Sequence, residues 1–91
     1  MAFITRFTPQ GMESAKYDEC IKRLETAGAG APIGRLYHVA FGDTNELRVT
    51  DIWDSMENFE AFGKILMPIL QDLGVEVGLP DIIETYNIIE G

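Results

Sequence analysis

Hydrophobic residues recur along the chain with two different periods. Four segments alternate between the two sheet faces and are rich in β-branched and aromatic residues, which predicts strands. These segments are residues 1–7, 35–41, 47–53 and 82–89. Two further segments, residues 12–27 and 55–73, carry apolar residues at helical spacing and predict helices. The predicted element order is therefore βαββαβ.

Turn and cap residues separate the predicted elements. Pro9 ends the first strand, and the glycine-rich run 28–34 ends the first helix. The turn formers of 42–46 predict a β-hairpin between the second and third strands. Asp54 is the predicted N-cap of the second helix, with Glu57 completing a capping box.

Pro68 lies inside the second helical segment. Because proline lacks the backbone N–H and its ring clashes with the preceding turn, we expect the helix to kink or end near Met67.

The element order predicts an α+β fold. With right-handed crossovers, βαββαβ gives a ferredoxin-like domain over residues 1–91, in which a four-stranded antiparallel sheet carries two helices on one face. The strands place apolar residues on both faces, although helices can cover only one of them. We therefore predict that a second copy of the chain covers the other face, which makes the protein a homodimer forming a dimeric α+β barrel.

The composition, charge and motifs of the chain disfavour several classes of partner and cofactor. The chain has 46% hydrophobic and 24% charged residues, as a globular domain does, and its net charge of −8 disfavours nucleic acid and membrane surfaces. The sequence contains neither a spanning apolar run nor a signal pattern, so we expect a cytoplasmic protein. Cys20 is the single cysteine, and no motif for a metal, a phosphate or a dinucleotide is present. We therefore predict no cofactor and no metal site.

The pairing of the central hairpin decides what surrounds Asp51. Asp51 shares a strand face with Trp53, and an aspartate among apolar neighbours needs a donor. A two-residue loop places His38 opposite Asp51, Leu36 opposite Trp53 and Arg35 opposite Asp54. A three-residue loop places Tyr37 opposite Asp51 and gives a cleaner apolar face. The charges favour the first register.

A His38–Asp51 pair would create a group that exchanges protons near neutral pH. In this hypothesis His38 accepts a proton, Asp51 orients the imidazole and Trp53 forms an apolar wall. Tyr37, Tyr86 and Phe59 are the other predicted substrate-binding residues. The simpler interpretation is that His38 and Asp51 satisfy each other structurally and that Trp53 is a core residue.

The third strand and second helix carry a family resemblance. The run Asp51-Ile-Trp-Asp-Ser-Met-Glu-Asn-Phe-Glu-Ala-Phe62 resembles the W-E-S-x-E-x-F-x-x-F junction of the dimeric α/β-barrel superfamily, which includes antibiotic-biosynthesis monooxygenases. In the quinone-forming members, an asparagine and a tyrosine line the cavity with the tryptophan, and Val49 and Phe59 stand at those positions here. The haem-degrading members use a first-strand asparagine and a second-helix histidine. This chain has Thr5 near the first position and no histidine in the second helix.

The resemblance implies a small cofactor-independent monooxygenase-like enzyme, or an isomerase-like one, acting on a small aromatic or enolisable molecule. The alternative is a non-catalytic homodimer that binds a small ligand or only completes its core. An open cavity bearing His38 or a tyrosine would favour the enzyme, whereas a filled volume would favour the alternative.

Overall fold

The predicted element order is confirmed by a computed structural model that describes residues 2–91. The first strand and helix are β1 (Phe3–Phe7) and α1 (Ser14–Thr26). The hairpin strands are β2 (Arg35–Asp43) and β3 (Glu46–Trp53). The chain continues with α2 (Met56–Asp72) and β4 (Asp81–Glu84).

The four strands form one antiparallel sheet in the order β2-β3-β1-β4. The two helices pack on each other and on β3, which gives the predicted ferredoxin-like α+β architecture. The core lies between this helical layer and the sheet. Its buried apolar residues include Cys20 and Leu24 of α1, Leu47 and Trp53 of β3, and Phe62 and Leu70 of α2.

The N-terminus of α2 begins one residue later than the sequence predicted. Ser55 is the N-cap, and its hydroxyl oxygen accepts a hydrogen bond from the Asn58 backbone N–H at 3.2 Å. The predicted Asp54–Glu57 capping box was therefore wrong. Asp54 instead accepts a hydrogen bond from the side-chain amide of Asn58 at 2.8 Å. Serine is an equally good cap, so the two adjacent residues could not be ranked from sequence.

Pro68 does not end the second helix, which continues to Asp72. The expectation of an end near Met67 was therefore wrong. Pro68 and Lys64 both lie on the exposed side of α2. Water can therefore hydrate the Lys64 carbonyl that proline leaves without a donor.

Both helices end in the same glycine-dependent motif. Gly28 (φ 77°) and Gly74 (φ 74°) adopt the left-handed conformation, as the first helix's glycine-rich end predicted. The residues that follow, Ala29 and Val75, donate their N–H groups back into the last turn and are buried. Each helix end is thereby tied to the core.

The last strand is shorter than predicted. It ends at Glu84 rather than at residue 89, and Thr85 continues the contact with the N-terminal segment by donating to the Ala2 carbonyl. Within residues 2–91, the residues beyond Thr85 pair with no strand, so their β-forming composition alone does not extend the sheet. Met1, included in the predicted first strand, lies outside the described residues.

The face of the sheet opposite the helices exposes several large apolar side chains, as the strand pattern predicted, together with charged ones at its periphery. Tyr37 is 59% exposed, and Phe41 and Ile83 also expose much of their surface. Ile52 lies between Ile4 of β1 and Tyr37 of β2 at the centre of this face. Within residues 2–91, no helix is long and apolar enough to cross a membrane.

Gly34 lies where the chain enters β2 and crosses the start of α2. Its carbonyl accepts the Asp54 backbone N–H at 2.8 Å, and its φ is 88°. A Cβ atom at this position would lie 2.4 Å from both the Asn58 side-chain nitrogen and an Asp54 carboxylate oxygen. The close approach of these two segments therefore requires glycine.

Candidate functional site

The hairpin pairs His38 with Asp51, which confirms the favoured register around this pair. Asp43 pairs with Glu46, leaving a two-residue turn in which Asp43 accepts the Asn45 backbone N–H at 2.8 Å. His38 Nδ1 lies 2.5 Å from Asp51 Oδ1. Asp51 is buried and His38 is half-buried, so the pair lies largely out of solvent beneath the helices.

Tyr17 of α1 extends this pair into a chain of three groups. Its hydroxyl lies 2.6 Å from His38 Nε2, and the two rings are nearly parallel, at 3°. When neutral His38 carries its proton on Nδ1, that N–H donates to the Asp51 carboxylate and Nε2 accepts the Tyr17 hydroxyl. The helix thereby supplies a hydroxyl to the strand pair.

A β-bulge places Arg35 on the same side of the sheet. Arg35 pairs with Trp53 and Tyr37 with Ile52, so Leu36 is the extra residue. The predicted pairings of Leu36 with Trp53 and Arg35 with Asp54 were therefore wrong. The extra residue reverses the strand alternation, so Arg35 and His38 share the helix-facing side.

The arginine is held by two contacts beside the site. Its guanidinium donates to the Gly30 carbonyl at 3.1 Å, and its central carbon lies 5.6 Å from the centre of the Phe62 ring. These contacts fix a cation at one end of the Tyr17–His38–Asp51 chain.

Two spaces adjoin the hydrogen-bonded chain. A small cavity of about 60 Å³ between the sheet and the helices is bordered by Tyr17, His38, Asp51 and Arg35 with apolar residues around them. A wider cleft of about 300 Å³ beside α2 is bordered by Asp51, Met56, Phe59 and Ile82 among others. The residues bordering both spaces are Phe7, Asp51, Phe62 and Leu66.

The surroundings change the acidity of two groups at the small cavity. Burial raises the pKa of the Tyr17 hydroxyl, while the nearby Arg35 cation lowers it by a smaller amount. Burial likewise raises the pKa of the Cys20 thiol, against a smaller opposing effect of Arg23. At neutral pH both groups therefore hold their protons, and Tyr17 is a hydrogen-bond donor.

Trp53 and Phe59 lie in different surroundings, although both were predicted to bind substrate. Trp53 is 0% exposed, borders neither space and packs against Phe59 and Phe62 with ring centres 5.8 and 5.4 Å away. Phe59 borders the cleft. The structure therefore places Trp53 in the core and Phe59 at a candidate ligand surface.

The other two predicted substrate-binding residues lie away from the His38–Asp51 pair. Tyr37 follows the opposite strand parity from His38 and is on the helix-free face of the sheet. Tyr86 follows β4 and is 105% exposed. In the single chain, neither hydroxyl reaches the cavity or the cleft.

Tyr17 and Arg35 are the site residues that sequence reasoning did not select. Tyr17 lies on the apolar stripe of α1, where it is indistinguishable from a packing residue. Regular strand alternation would place Arg35 on the sheet face opposite His38. The bulge reverses this, and no residue type in 35–37 indicates a bulge. The position of Tyr17 on the apolar stripe was the one indication in the sequence, because that stripe faces the sheet.

Two buried polar atoms flank Asp51. Within residues 2–91, the hydroxyl of Thr5, which pairs with Asp51 across β1 and β3, has no hydrogen-bond partner, nor has the indole nitrogen of Trp53. Among the same described residues, no group of three or more His, Cys, Asp or Glu side chains could hold a metal ion.

Comparison with known proteins finds similarity in structure but not in sequence. The chain matches no protein-family model, and it matches no curated protein sequence. Among solved structures, SnoaB from Streptomyces nogalater, a cofactor-independent oxygenase, has a TM-score of 0.61 and 16% identity, covering 99% of this chain and 96% of that one. A provisionally named antibiotic biosynthesis monooxygenase from Chloroflexus aurantiacus has a TM-score of 0.56 and 14% identity, with coverage of 99% and 97%.

A third similar structure, Rv0793 from Mycobacterium tuberculosis, has a TM-score of 0.55 and 14% identity, covering 98% of this chain and 95% of that chain. All three matches span nearly the whole of both chains. The protein therefore has the ferredoxin-like fold of the antibiotic biosynthesis monooxygenase-like proteins, as the tryptophan-to-helix junction suggested.

Proposed function

We propose that this protein is a cofactor-independent monooxygenase-like enzyme acting on a small aromatic or enolisable molecule. The observation that carries the proposal is the chain of hydrogen bonds from Tyr17 through His38 to Asp51 beside an apolar cavity. The oxygenase SnoaB shares the fold, but one fold can host many activities, so the hydrogen-bonded chain itself carries the proposal.

The proposed first step is proton removal. A phenol O–H or an acidic C–H gives its proton to the Tyr17 oxygen as Tyr17 gives its own proton to His38 Nε2. The Asp51 carboxylate, already bonded to Nδ1, stabilises the imidazolium that forms. Tyr17 is protonated at neutral pH and gains one proton as it gives up another, so the negative charge forms on the substrate and not on Tyr17.

The proposed second step is reaction of the deprotonated substrate with dioxygen. An electron-rich carbanion or phenolate can reduce dioxygen without a flavin or a metal. At an activated CH₂ group, one oxygen atom becomes the carbonyl oxygen and the other leaves as water with both hydrogens. Atoms and electrons then balance with no added reductant.

The wider cleft is the proposed binding place for the apolar part of the substrate. Its volume of about 300 Å³ is at the lower end of ligand pockets, whereas the cavity of about 60 Å³ holds only a few atoms. Phe59 and Phe62 offer aromatic surface there, and Asp51 borders both spaces. Tyr17 and His38 border only the small cavity, so the reacting group of such a substrate would have to enter that cavity to meet the Tyr17 hydroxyl.

We also propose that the functional form is a homodimer joined through the helix-free face of the sheet. The exposed apolar side chains of that face support this, because a soluble domain rarely leaves such a patch open to water. The dimer would bury Tyr37 against the partner chain.

Deuterium exchange of 2-tetralone tests the first step. This aromatic ketone has an acidic CH₂ group, whose exchange in D₂O can be followed by proton NMR, with oxygen uptake measured in parallel. We expect His38→Gln to slow the enzyme-dependent exchange about 100-fold or more, and Tyr17→Phe also to slow it strongly. Tyr37→Phe is the matched control, because Tyr37 adjoins His38 in sequence but faces the other side of the sheet.

The proposed chemistry fails if folded His38→Gln protein exchanges the ketone as fast as the wild type. Exchange that depends on His38 without any oxygen uptake would instead indicate an isomerase-like enzyme.

A further inference from the structure

Within residues 2–91, Arg35 and Arg48 have no acidic partner, unlike the other two arginines, and of these two Arg35 is the one that borders the small cavity. Arg6 pairs with Asp81, and Arg23 pairs with Glu19 and Asp72. Arg35 makes no ion pair with any acidic side chain in residues 2–91, although the sequence contains fifteen Asp and Glu residues. Its fixed contacts are one carbonyl and one aromatic ring.

The position of this cation is set by the backbone rather than by a flexible side chain alone. The bulge at Leu36 turns Arg35 to the helix-facing side, where it borders the same cavity as Tyr17 and His38. Only one of the five guanidinium N–H donors is used by Gly30. The remaining donors suit a planar, two-oxygen anion.

We propose that Arg35 binds a carboxylate of the substrate, which makes the substrate class small, anionic aromatic or enolisable acids. The inference rests on the proposed function for its choice of site, although the binding that it predicts can be measured without turnover. With the carboxylate on Arg35, a carbon one or two bonds away would lie towards the Tyr17 hydroxyl, and the aromatic part would extend towards Phe62 and Leu66.

The negative charge of the protein makes this arrangement selective. A net charge of −8 repels small anions in general, so an anionic ligand needs a local cation that outweighs this field. Arg35 is a cation without an acidic partner placed next to an acid–base group in an apolar setting, where a charge-assisted bond is stronger than on the surface. A neutral ligand of the same shape would lack this attraction.

Phenylpyruvate and phenylacetone form a matched pair of probes. Both have a benzylic CH₂ group next to a ketone, but phenylacetone carries a methyl group where phenylpyruvate carries its carboxylate. Binding to the full-length wild-type protein is measured for each by ligand-detected NMR titration. We expect phenylpyruvate to bind at least about tenfold more tightly, with the difference shrinking as salt is raised.

Three variants identify the residue responsible. Arg35→Gln and Arg35→Met should bring the two affinities to within about twofold of each other, the methionine variant keeping an apolar stem against Phe62. Arg48→Gln is the matched control, since Arg48 lies over Phe41, 5.0 Å from its ring centre, on the opposite sheet face. Arg48→Gln should leave the preference for phenylpyruvate over phenylacetone unchanged.

Equal wild-type affinities for the two probes, or no binding of either, would overturn the inference, as would an unchanged preference in a folded Arg35 variant. If neither Arg35 variant folds, a wild-type preference that persists at high salt would equally contradict it. Failure of the proposed function is a different result: phenylpyruvate would bind with the predicted preference while its deuterium exchange stayed unaffected by His38→Gln.

Discussion

His38 and Asp51 face each other across the hairpin strands β2 and β3, with Nδ1 and Oδ1 2.5 Å apart. The two residues meet because a two-residue turn joins their strands, and they are held on the helix side of the sheet by the parity of β3. Asp51 therefore has its donor, which an aspartate among Val49 and Trp53 requires. The other ring nitrogen of His38 is hydrogen-bonded to the Tyr17 hydroxyl. The same contacts that satisfy the buried carboxylate therefore also form the candidate catalytic group.

Asp51→Asn should lower the free energy of unfolding by about 1 to 3 kcal/mol, because it removes a charge-assisted hydrogen bond in a buried setting. His38→Gln should cost a similar amount by leaving the carboxylate without its donor. The double variant should lose less than the sum of the two by about 1 kcal/mol or more. Urea denaturation measures all three, and exposed Asp18→Asn, as control, should stay within about 0.5 kcal/mol of wild type. Strict additivity would contradict the coupling of the pair.

Trp53→Ala should lower the free energy of unfolding by about 3 to 5 kcal/mol, because the indole is fully buried against two phenylalanines. The denaturant midpoint measures the loss. Tyr86→Ala removes another large aromatic side chain, but one that is fully exposed, and should be nearly neutral. A small effect at Trp53 would mean that the ring lines open space after all.

Tyr17 should make stability depend on pH in the alkaline range. Below the ordinary tyrosine pKa of 10.0 the hydroxyl is protonated in both the folded and the unfolded chain, so its contribution is fully present. Because burial raises the pKa in the folded state, the unfolded chain ionises first, and stability falls as the pH rises from 10.0 through the folded pKa.

Urea midpoints measured from neutral pH to about 10.5 should therefore decline more steeply in the wild type than in Tyr17→Phe. Tyr86→Phe, which removes an exposed hydroxyl, should decline as the wild type does. Parallel curves for wild type and Tyr17→Phe would rule out a raised pKa at Tyr17.

Cys20 should react slowly with a disulfide reagent in the folded protein. The thiol is buried, and its pKa is raised above 9.0, so little reactive thiolate is present near neutral pH. We expect modification to be at least about tenfold slower than for the same thiol in urea at equal pH. A folded-state rate equal to the unfolded rate would place Cys20 at the surface.

Light scattering should give twice the chain mass of 10.2 kDa at micromolar concentration. Ile52→Lys places a charge at the centre of the apolar sheet face and should weaken association at least about tenfold. Ile65→Lys makes the same exchange at an exposed position of α2 and should leave the mass unchanged. A monomer mass for the wild type would contradict the sheet-to-sheet dimer.

Much of the fold was predictable because it depends on patterns longer than a single residue. The helical stripes and the strand alternation identified six elements, and right-handed crossovers then left one sheet order. The errors fell where local alternatives have similar energies. Ser55 and Asp54 are equally suitable caps, and Pro68 is tolerated because it lies on a hydrated helix face.

The candidate site was predictable only in part. A buried aspartate needs a hydrogen-bond donor, and the register with a two-residue loop places the one histidine of the chain opposite it. The His38–Asp51 pair could therefore be predicted from sequence. The approach of Tyr17 depends on how α1 packs over the sheet, and the placement of Arg35 depends on one inserted residue. The apolar stripe of α1 turned Tyr17 towards the sheet but did not show which strand residue it meets, and no residue type in 35–37 indicated the bulge.

Gly34 provides a means of finding relatives where overall sequence similarity is low. A related chain that passes the start of α2 in the same way and keeps the side-chain hydrogen bond between Asp54 and Asn58 must have glycine at position 34. A pattern search can therefore combine this glycine with Arg35 and the Trp-Asp-Ser-x-x-Asn run at 53–58. Sequences retrieved in this way would share the local geometry that holds the arginine, and the presence or absence of a tyrosine at position 17 would then sort them by chemistry.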